Sequence, residues 1–205
     1  MTFQIASPLS RVVLASNNSG KLREFAALFQ PLGMTLIPQG DLNVPEAPEP
    51  HVTFLENALA KARHASLITG LPAIADDSGL CVSSLNDAPG VLSARYAADA
   101  AGHKSDAANN ARLVQNLSGV DNRAARYVAV LVLVRHANDP QPIIGEGQWH
   151  GEIIDVPRGS GGFGYDAHFY LPELGMTVAE LPATQKNQIS HRANALNQIL
   201  AKLGA

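Results

Sequence analysis

Pro72-Ala73-Ile74-Ala75-Asp76-Asp77-Ser78-Gly79-Leu80 is the stretch on which the reading of this chain turns. Ala73-Ile74-Ala75 is a short apolar run, expected to be a buried strand, and it gives way abruptly to two carboxylates, a serine and a glycine. In open α/β sheets ligands gather where strands end. Neighbouring strand residues point to opposite faces. If Asp76 still belongs to the strand, Asp77 faces the other way or already sits in a turn. One of the two is then expected to face a site and the other to brace the turn. Carboxylates suit a hard cation such as Mg²⁺, which takes one or two protein carboxylates and completes its shell with waters and substrate phosphates. On this stretch alone, an ordinary Asp-Ser-Gly turn is the simpler explanation.

Upstream, residues 1–10 read as a loose lead-in and Arg11 to Ala15 as a strand. Ser16-Asn17-Asn18-Ser19-Gly20-Lys21 is rich in turn formers. Leu22, Phe25, Phe29 and Leu32 then recur at helical spacing, with Gly33 as the stop. Strand, polar loop and helix in this order put backbone N–H groups, short polar side chains and Lys21 at a helix N-terminus, a natural anion site. An N-cap before an amphipathic helix accounts for the same residues. The loop is not a Walker A sequence, because Leu22 follows Gly20-Lys21 and the first glycine is missing. Residues 34–38 predict a second strand, followed by an acidic, proline-rich loop from Gln39 to His51. Thr53 with Glu56 predicts a capping box. The helix behind it is expected to bury Leu55, Leu59 and Ala62 and to end at Gly70, with Lys61 and Arg63 off the apolar stripe and solvated.

Downstream, residues 82–105 read as irregular, with a turn at Asp87-Ala88-Pro89-Gly90. A helix is expected from Asp106 to Leu117. Tyr127 to Arg135 reads as a strand buried on both faces, and Ile143 to Ile154 as its antiparallel neighbour, with Trp149 half-buried. Arg158 to Asp166 contains a formal G-x-G-x-x-G. Pro157 precedes it and a strand-like His168-Phe169-Tyr170 follows, which is the wrong setting for a dinucleotide site. The glycines instead allow a flat ligand close to the backbone, with Phe163 or Tyr165 exposed to stack on it; a plain hairpin loop is the alternative. Ile189, Ala193, Leu196, Leu200 and Leu203 predict one final helix. Lys186, His191 and Arg192 lie before or within its first turns, where cations oppose the helix dipole. A nearby anion or polar base edge would resolve that conflict; three solvated side chains are the other reading.

Composition narrows the function classes. The chain has 205 residues, 46% hydrophobic and 16% charged, which predicts one globular domain over 1–205 rather than a disordered chain. A net charge of −3 without a basic run argues against a nucleic-acid partner, though not against a small phosphorylated ligand. One cysteine, Cys81, allows no internal disulfide and no cysteine-based zinc site; it reads as a small core residue. No segment reads as a leader or a bilayer span, so a cytoplasmic location without a membrane partner is expected.

Four blocks in order give the chain a resemblance. They are Ser-Asn-Asn-Ser-Gly-Lys (16–21), Thr-Phe-Leu-Glu-Asn-Ala-Leu-Ala-Lys-Ala (53–62), Ala-Asp-Asp-Ser-Gly-Leu (75–80), and Gly-Gly-Phe-Gly-Tyr-Asp (161–166) with Ser-His-Arg (190–192). Together they resemble the inosine triphosphate pyrophosphatase family. The resemblance implies an α/β fold: an elongated mixed β-sheet flanked by helices, with two lobes, an active-site cleft between them and a homodimer. It implies Mg²⁺-dependent hydrolysis of ITP, dITP or XTP to the monophosphate and pyrophosphate.

Carried over, Ser16, Asn17, Asn18, Ser19, Gly20 and Lys21 would hold the phosphates. Asp77 would bind the metal and act as general base, and Ser78 would touch the substrate. Phe163, Gly164, Tyr165, Asp166, Lys186, His191 and Arg192 would hold the base and sugar, with Arg192 donating to a 6-keto purine. The acidic loop offers Glu46 and Glu49, and the family spacing to Thr53 selects Glu49 as the second metal carboxylate. Ala167 stands where the family often has proline. A non-catalytic nucleotide-binding or sensing module on the same scaffold is the competing expectation.

Overall fold

The computed structural model describes residues 9–29, 33–98 and 103–204. Most of the expected lead-in, and Leu32 of the first helical stripe, lie outside them. Seven strands form one mixed sheet of order β2-β1-β3-β4-β5-β6-β7. They are β1 (Arg11–Leu14), β2 (Thr35–Pro38), β3 (Ala73–Val82), β4 (Ala124–Val134), β5 (Ile143–Ile153), β6 (Phe169–Leu171) and β7 (Met176–Thr177). The helices are α1 (Ser19–Phe29), α2 (Phe54–Thr69), α3 (Asp106–Asn116), α4 (Ala183–Ile189) and α5 (His191–Leu203). β1 runs parallel to β2 and β3, and β6 runs antiparallel to β5 and β7. No helix among the described residues is long and apolar enough to cross a membrane.

The chain divides into two compact units, one of residues 1–77, 129–147 and 192–205, the other of residues 78–128 and 148–191. The first unit has a core of Val12 and Leu14 from β1, Phe25 and Phe29 from α1, Ile74 from β3, Leu131 and Leu133 from β4, and Leu196 and Ile199 from α5. The second has Leu80 and Val82 from β3, Leu113 and Leu117 from the α3 end, Tyr127, Ile153, Tyr165 and Phe169. Burial of each such large side chain stabilises the fold by roughly 1.5–3 kcal/mol before entropy is counted.

Several expectations need correcting. β3 does not stop at the carboxylates; it runs through Asp76, Asp77 and Ser78 to Val82, so the Asp-Ser-Gly turn is absent. The reason lies next door: β1 pairs with β3 only at Val13↔Ala73 and Leu14↔Ile74, so its own end, not that of β3, opens the sheet beside Asp76. Thr53 caps α2 as expected, its Oγ accepting from the Glu56 amide at 3.2 Å, and Gly70 closes the helix with φ +67°. The buried stripe of α2, however, is Asn57, Ala58, Ala62, Ala65 and Ser66; Leu55 is exposed and Leu59 only half-buried. The single final helix is two, because Ser190 adopts an extended conformation (φ −70°, ψ 164°) between α4 and α5. Serine is a favoured N-cap residue, and it stands where α5 begins. Residues 82–105 contain two 3-10 turns, Ser83–Leu85 and Gly90–Arg95. Cys81 is buried, as expected of a core residue.

The turn between β4 and β5 is tied by one buried carboxylate. Asp139 accepts from the Arg135 guanidinium at 2.6 and 2.8 Å, from the Arg135 amide at 2.9 Å and from the Gln141 amide at 3.0 Å. The Arg135 hydrogen bonds hold its carboxyl well below the ordinary value of 3.8. Asp139→Ala is expected to cost about 2–3 kcal/mol at pH 7, since two backbone donors lose their acceptor. A depressed acid stabilises the fold above its unfolded value and loses that contribution as pH falls through the folded one. The gap between wild type and variant in urea unfolding should therefore narrow below about pH 4.

Candidate functional site

Alternation along β3 sends its two carboxylates to different helices. Ile74 packs in the core of the first unit with α1 and α5. Asp76, two residues on, shares that face and meets the same helices. Its Oδ2 lies 2.7 Å from Lys21 Nζ and 3.4 Å from Arg192 Nε, and Arg192 Nη1 bonds Glu24 of α1 at 2.7 Å. Burial alone would push the Asp76 carboxyl up; Lys21 and Arg192 outweigh it and hold the group well below the carboxylate range. Burial also lowers the Lys21 ammonium from its ordinary value, against the pull of Asp76.

Asp77, on the opposite face, meets α2. Its Oδ1 accepts from Lys61 Nζ at 2.7 Å, and Asn57 Nδ2 lies 3.4 Å from Oδ2. Lys61 also bonds Glu49 Oε1 at 2.9 Å and the Asp76 carbonyl at 2.9 Å. Burial pushes the Asp77 carboxyl up, more than Lys61 and Lys21 pull it down. For Lys61 burial opposes the charge, but Asp77 and Glu49 outweigh it and raise the ammonium above its ordinary value. Lys61 was expected to be solvated; its side chain is only 11% exposed and joins two carboxylates. A signal was present in the sequence: Asn57 and Lys61, four apart, lie on one face of a helix, interrupting its alanine stripe. Arg63 is exposed, as expected.

The loop before α1 leads directly into the first turn of the helix. α1 begins at Ser19, and Asn18 caps it by accepting from the Lys21 amide at 3.0 Å. Ser16 Oγ accepts from the Asn18 amide at 3.2 Å. Asn17, Asn18 and Ser19 are exposed, Ser16 and Lys21 partly so, and Gly20 is buried. First-turn amides without intrahelical partners favour a bound anion.

The second unit gathers the other candidates. Asp166 is buried; its Oδ2 accepts from Lys186 Nζ at 2.7 Å and from the Phe163 amide at 3.0 Å, and its Oδ1 from the Tyr127 hydroxyl at 3.0 Å. Lys186 Nζ sits 5.0 Å from the centre of the Phe163 ring, and His191 stacks on Tyr127 at 4.8 Å and 12°. Gly162 is required here: its φ is +73°, and a Cβ would run into the Asp166 carboxylate.

One expectation changes, and one open choice is decided. Tyr165 is not an exposed stacking ring; it is 4% exposed, and its hydroxyl donates to the Ser93 carbonyl at 2.8 Å. Lys186, His191 and Arg192 are not solvated, at 6%, 3% and 4% exposure. The charge conflict at the start of α5 is met by this chain's own acids, Glu24 and Asp76. Arg192 is held by Glu24 at 2.7 Å and Asp76 at 3.4 Å. Ser78 is half-buried on β3. Lys61, Asn57, Glu24 and Tyr127 were not singled out from the sequence as site residues, and Asp76 entered only as one of two carboxylates of which one was expected to face a site.

Among the described residues no group of three or more His, Cys, Asp or Glu side chains forms a metal cluster. Asp77 and Glu49 nevertheless both place an oxygen within 2.9 Å of one atom, Lys61 Nζ. The cation on which they converge in the structure is the Lys61 ammonium; a carboxylate pair is also the donor set that a hard cation takes together with water and phosphate. Glu46 is exposed and Glu49 half-buried.

The sequence profile of the Ham1 family matches residues 12–202. A dITP/XTP pyrophosphatase of Ralstonia nicotianae is 66% identical over 195 residues, covering 95% of this chain and 97% of that one. Another, of Bordetella pertussis, is 65% identical over 206 residues, covering 100% and 97%. Among solved structures, a HAM1 protein from Coxiella burnetii is 46% identical with a TM-score of 0.85, covering 95% of this chain and 98% of that one. The Staphylococcus aureus Ham1 protein is 39% identical with a TM-score of 0.82, covering 95% and 98%. Sequence agreement across nearly the whole chain and a shared mixed sheet lead to one conclusion: the chain belongs to the Ham1 family.

Proposed function

We propose that this protein hydrolyses non-standard purine nucleoside triphosphates (dITP, XTP and ITP) between the α and β phosphates, releasing the monophosphate and pyrophosphate. The observation that carries the proposal is the pair Asp76 and Asp77, adjacent on one strand yet held by different lysines, Lys21 and Lys61. The names of the relatives, dITP/XTP pyrophosphatases, supply the substrate class.

Residues 16–21 bind the phosphates through the first-turn amides of α1, and Lys21 and Lys61 offset charge that builds on the phosphoryl oxygens. Asp77 orients the attacking water and takes its proton. Mg²⁺ held by Asp77 and Glu49 would neutralise triphosphate charge when bound. In the second unit Phe163 offers a ring face to the purine, with Asp166 and Lys186 beside it and His191 stacked on Tyr127. The Lys186 ammonium only donates hydrogen bonds. It favours the 6-keto group of hypoxanthine or xanthine over the 6-amino group of adenine. A cytoplasmic homodimer is the setting that goes with this reading.

The test is product analysis with Mg²⁺ and, separately, dITP, XTP, ITP, GTP and ATP, resolving pyrophosphate from phosphate. Pyrophosphate from the first three, with little from ATP, is the expected result. Release of single phosphates would move the attack to the γ position and overturn the mechanism. Tight binding without turnover would make the protein a nucleotide sensor instead.

A further inference from the structure

Residues 158–166 contain four glycines, three of which (Gly159, Gly162 and Gly164) have positive φ. Such a backbone loses much conformational freedom when it is ordered. A ligand that used the loop would bear that cost unless the fold had already met it. Helix α3 meets it at Gly164. The Gly164 amide donates to Asp106 Oδ2 at 2.8 Å, and the Gly164 carbonyl accepts from Asn110 Nδ2 at 2.9 Å. Asp106 opens α3 and Asn110 lies one turn on, so both side chains leave the same helix face. An acid in a first helical turn needs no explanation beyond the dipole; one that spans 58 residues to a single glycine amide does. A Cβ on Gly164 would meet nothing within 4 Å, so the glycine is there for its φ of +63° and not for space.

The clamp has neighbours. Tyr165 is fixed by its hydroxyl on the Ser93 carbonyl, and Asn109 of α3 donates to that same carbonyl at 3.4 Å. On the other side of Gly164, the Phe163 amide is held by Asp166, which also holds Lys186. Phe163 therefore sits between two fixed points, the Asp166 carboxylate and the α3 clamp on Gly164.

We propose that Asp106 and Asn110 are positioning residues for base recognition, which hold the Phe163–Asp166 loop in its binding conformation without touching the substrate. This rests on the reading that the loop receives the purine. Loss of the clamp should weaken ground-state binding and base choice while leaving phosphate chemistry unchanged, because the groups that perform it lie in the other unit.

The experiment compares Asp106→Ala and Asn110→Ala with two variants of matched size. Asp106→Asn keeps an oxygen that can accept from the Gly164 amide. Asn110→Asp replaces the donor with a carboxylate oxygen facing the Gly164 carbonyl. For Asp106→Ala and Asn110→Ala, KM for dITP should rise by about fivefold to tenfold, the size of one lost hydrogen bond per variant, with kcat within about twofold. The preference for dITP over dATP should shrink, Asp106→Asn should recover most of the loss, and Asn110→Asp should be at least as impaired as alanine. Equilibrium binding of inosine monophosphate should weaken in parallel; it needs no turnover, so it still tests the clamp if pyrophosphate release fails in the wild type. Unchanged KM, selectivity and monophosphate binding would overturn the proposal. A fall in kcat shared by all substrates, with selectivity intact, would also overturn it.

Discussion

Asp77→Asn is expected to lower turnover of dITP by about a thousandfold or more while leaving the protein folded, because on the proposed mechanism the change removes a charged base and a metal carboxylate together. The carboxamide matches the carboxylate in shape, and Lys61 keeps Glu49 as a partner at 2.9 Å. Burial already pushes the Asp77 carboxyl above its ordinary value, so neutralising it relieves a desolvation cost as well as breaking an ion pair. The urea midpoint should therefore move little. Pyrophosphate release at saturating dITP, read beside a urea melt, gives the answer. Activity within tenfold of wild type would remove Asp77 from the chemistry, and Glu49 would become the next carboxylate to test.

Asp76→Ala should have the opposite signature: a loss of stability of about 3–5 kcal/mol, as found when one partner of a buried ion pair is removed. Asp76 is fully enclosed and faces Lys21, 15% exposed, and Arg192, 5% exposed. Without it, Arg192 retains Glu24, but two buried cations lose the anion between them. Asp76→Asn should fall between alanine and wild type, since it keeps an acceptor and loses the charge. The wild-type contribution is present above the ordinary Asp value of 3.8 and lost as pH falls through the lower folded value. Urea unfolding at pH 7 measures it. A cost below about 1 kcal/mol would place the pair in the class of weak surface bridges and contradict the burial seen here.

Local chemistry explains why some elements were legible beforehand. Thr53, Glu56 and Gly70 bracket α2 because capping depends on residues within one turn. Arg11 to Ala15 and Tyr127 to Arg135 read as strands because apolar runs with no helical spacing have few other uses. Where the expectation rested on one segment's hydrophobic count, it failed. The stripe of α2 was drawn through Leu55 and Leu59, yet the buried face carries alanines, Asn57 and Ser66. The last helix was drawn unbroken, yet one serine in an extended conformation divides it.

The sequence by itself determined the family, through four blocks met in order from residue 16 to residue 192, and the caps of α2, which depend on residues within one turn. Only the tertiary structure decided what faces each charge. Lys61 pairs with Asp77 across 16 residues, Arg192 with Asp76 across 116 and with Glu24 across 168. It also decided that Tyr165 is a core residue. Burial and pairing of charge are properties of three-dimensional neighbours; β3, carrying Asp76 and Asp77 on opposite faces, brings to each a helix that no local pattern connects to it.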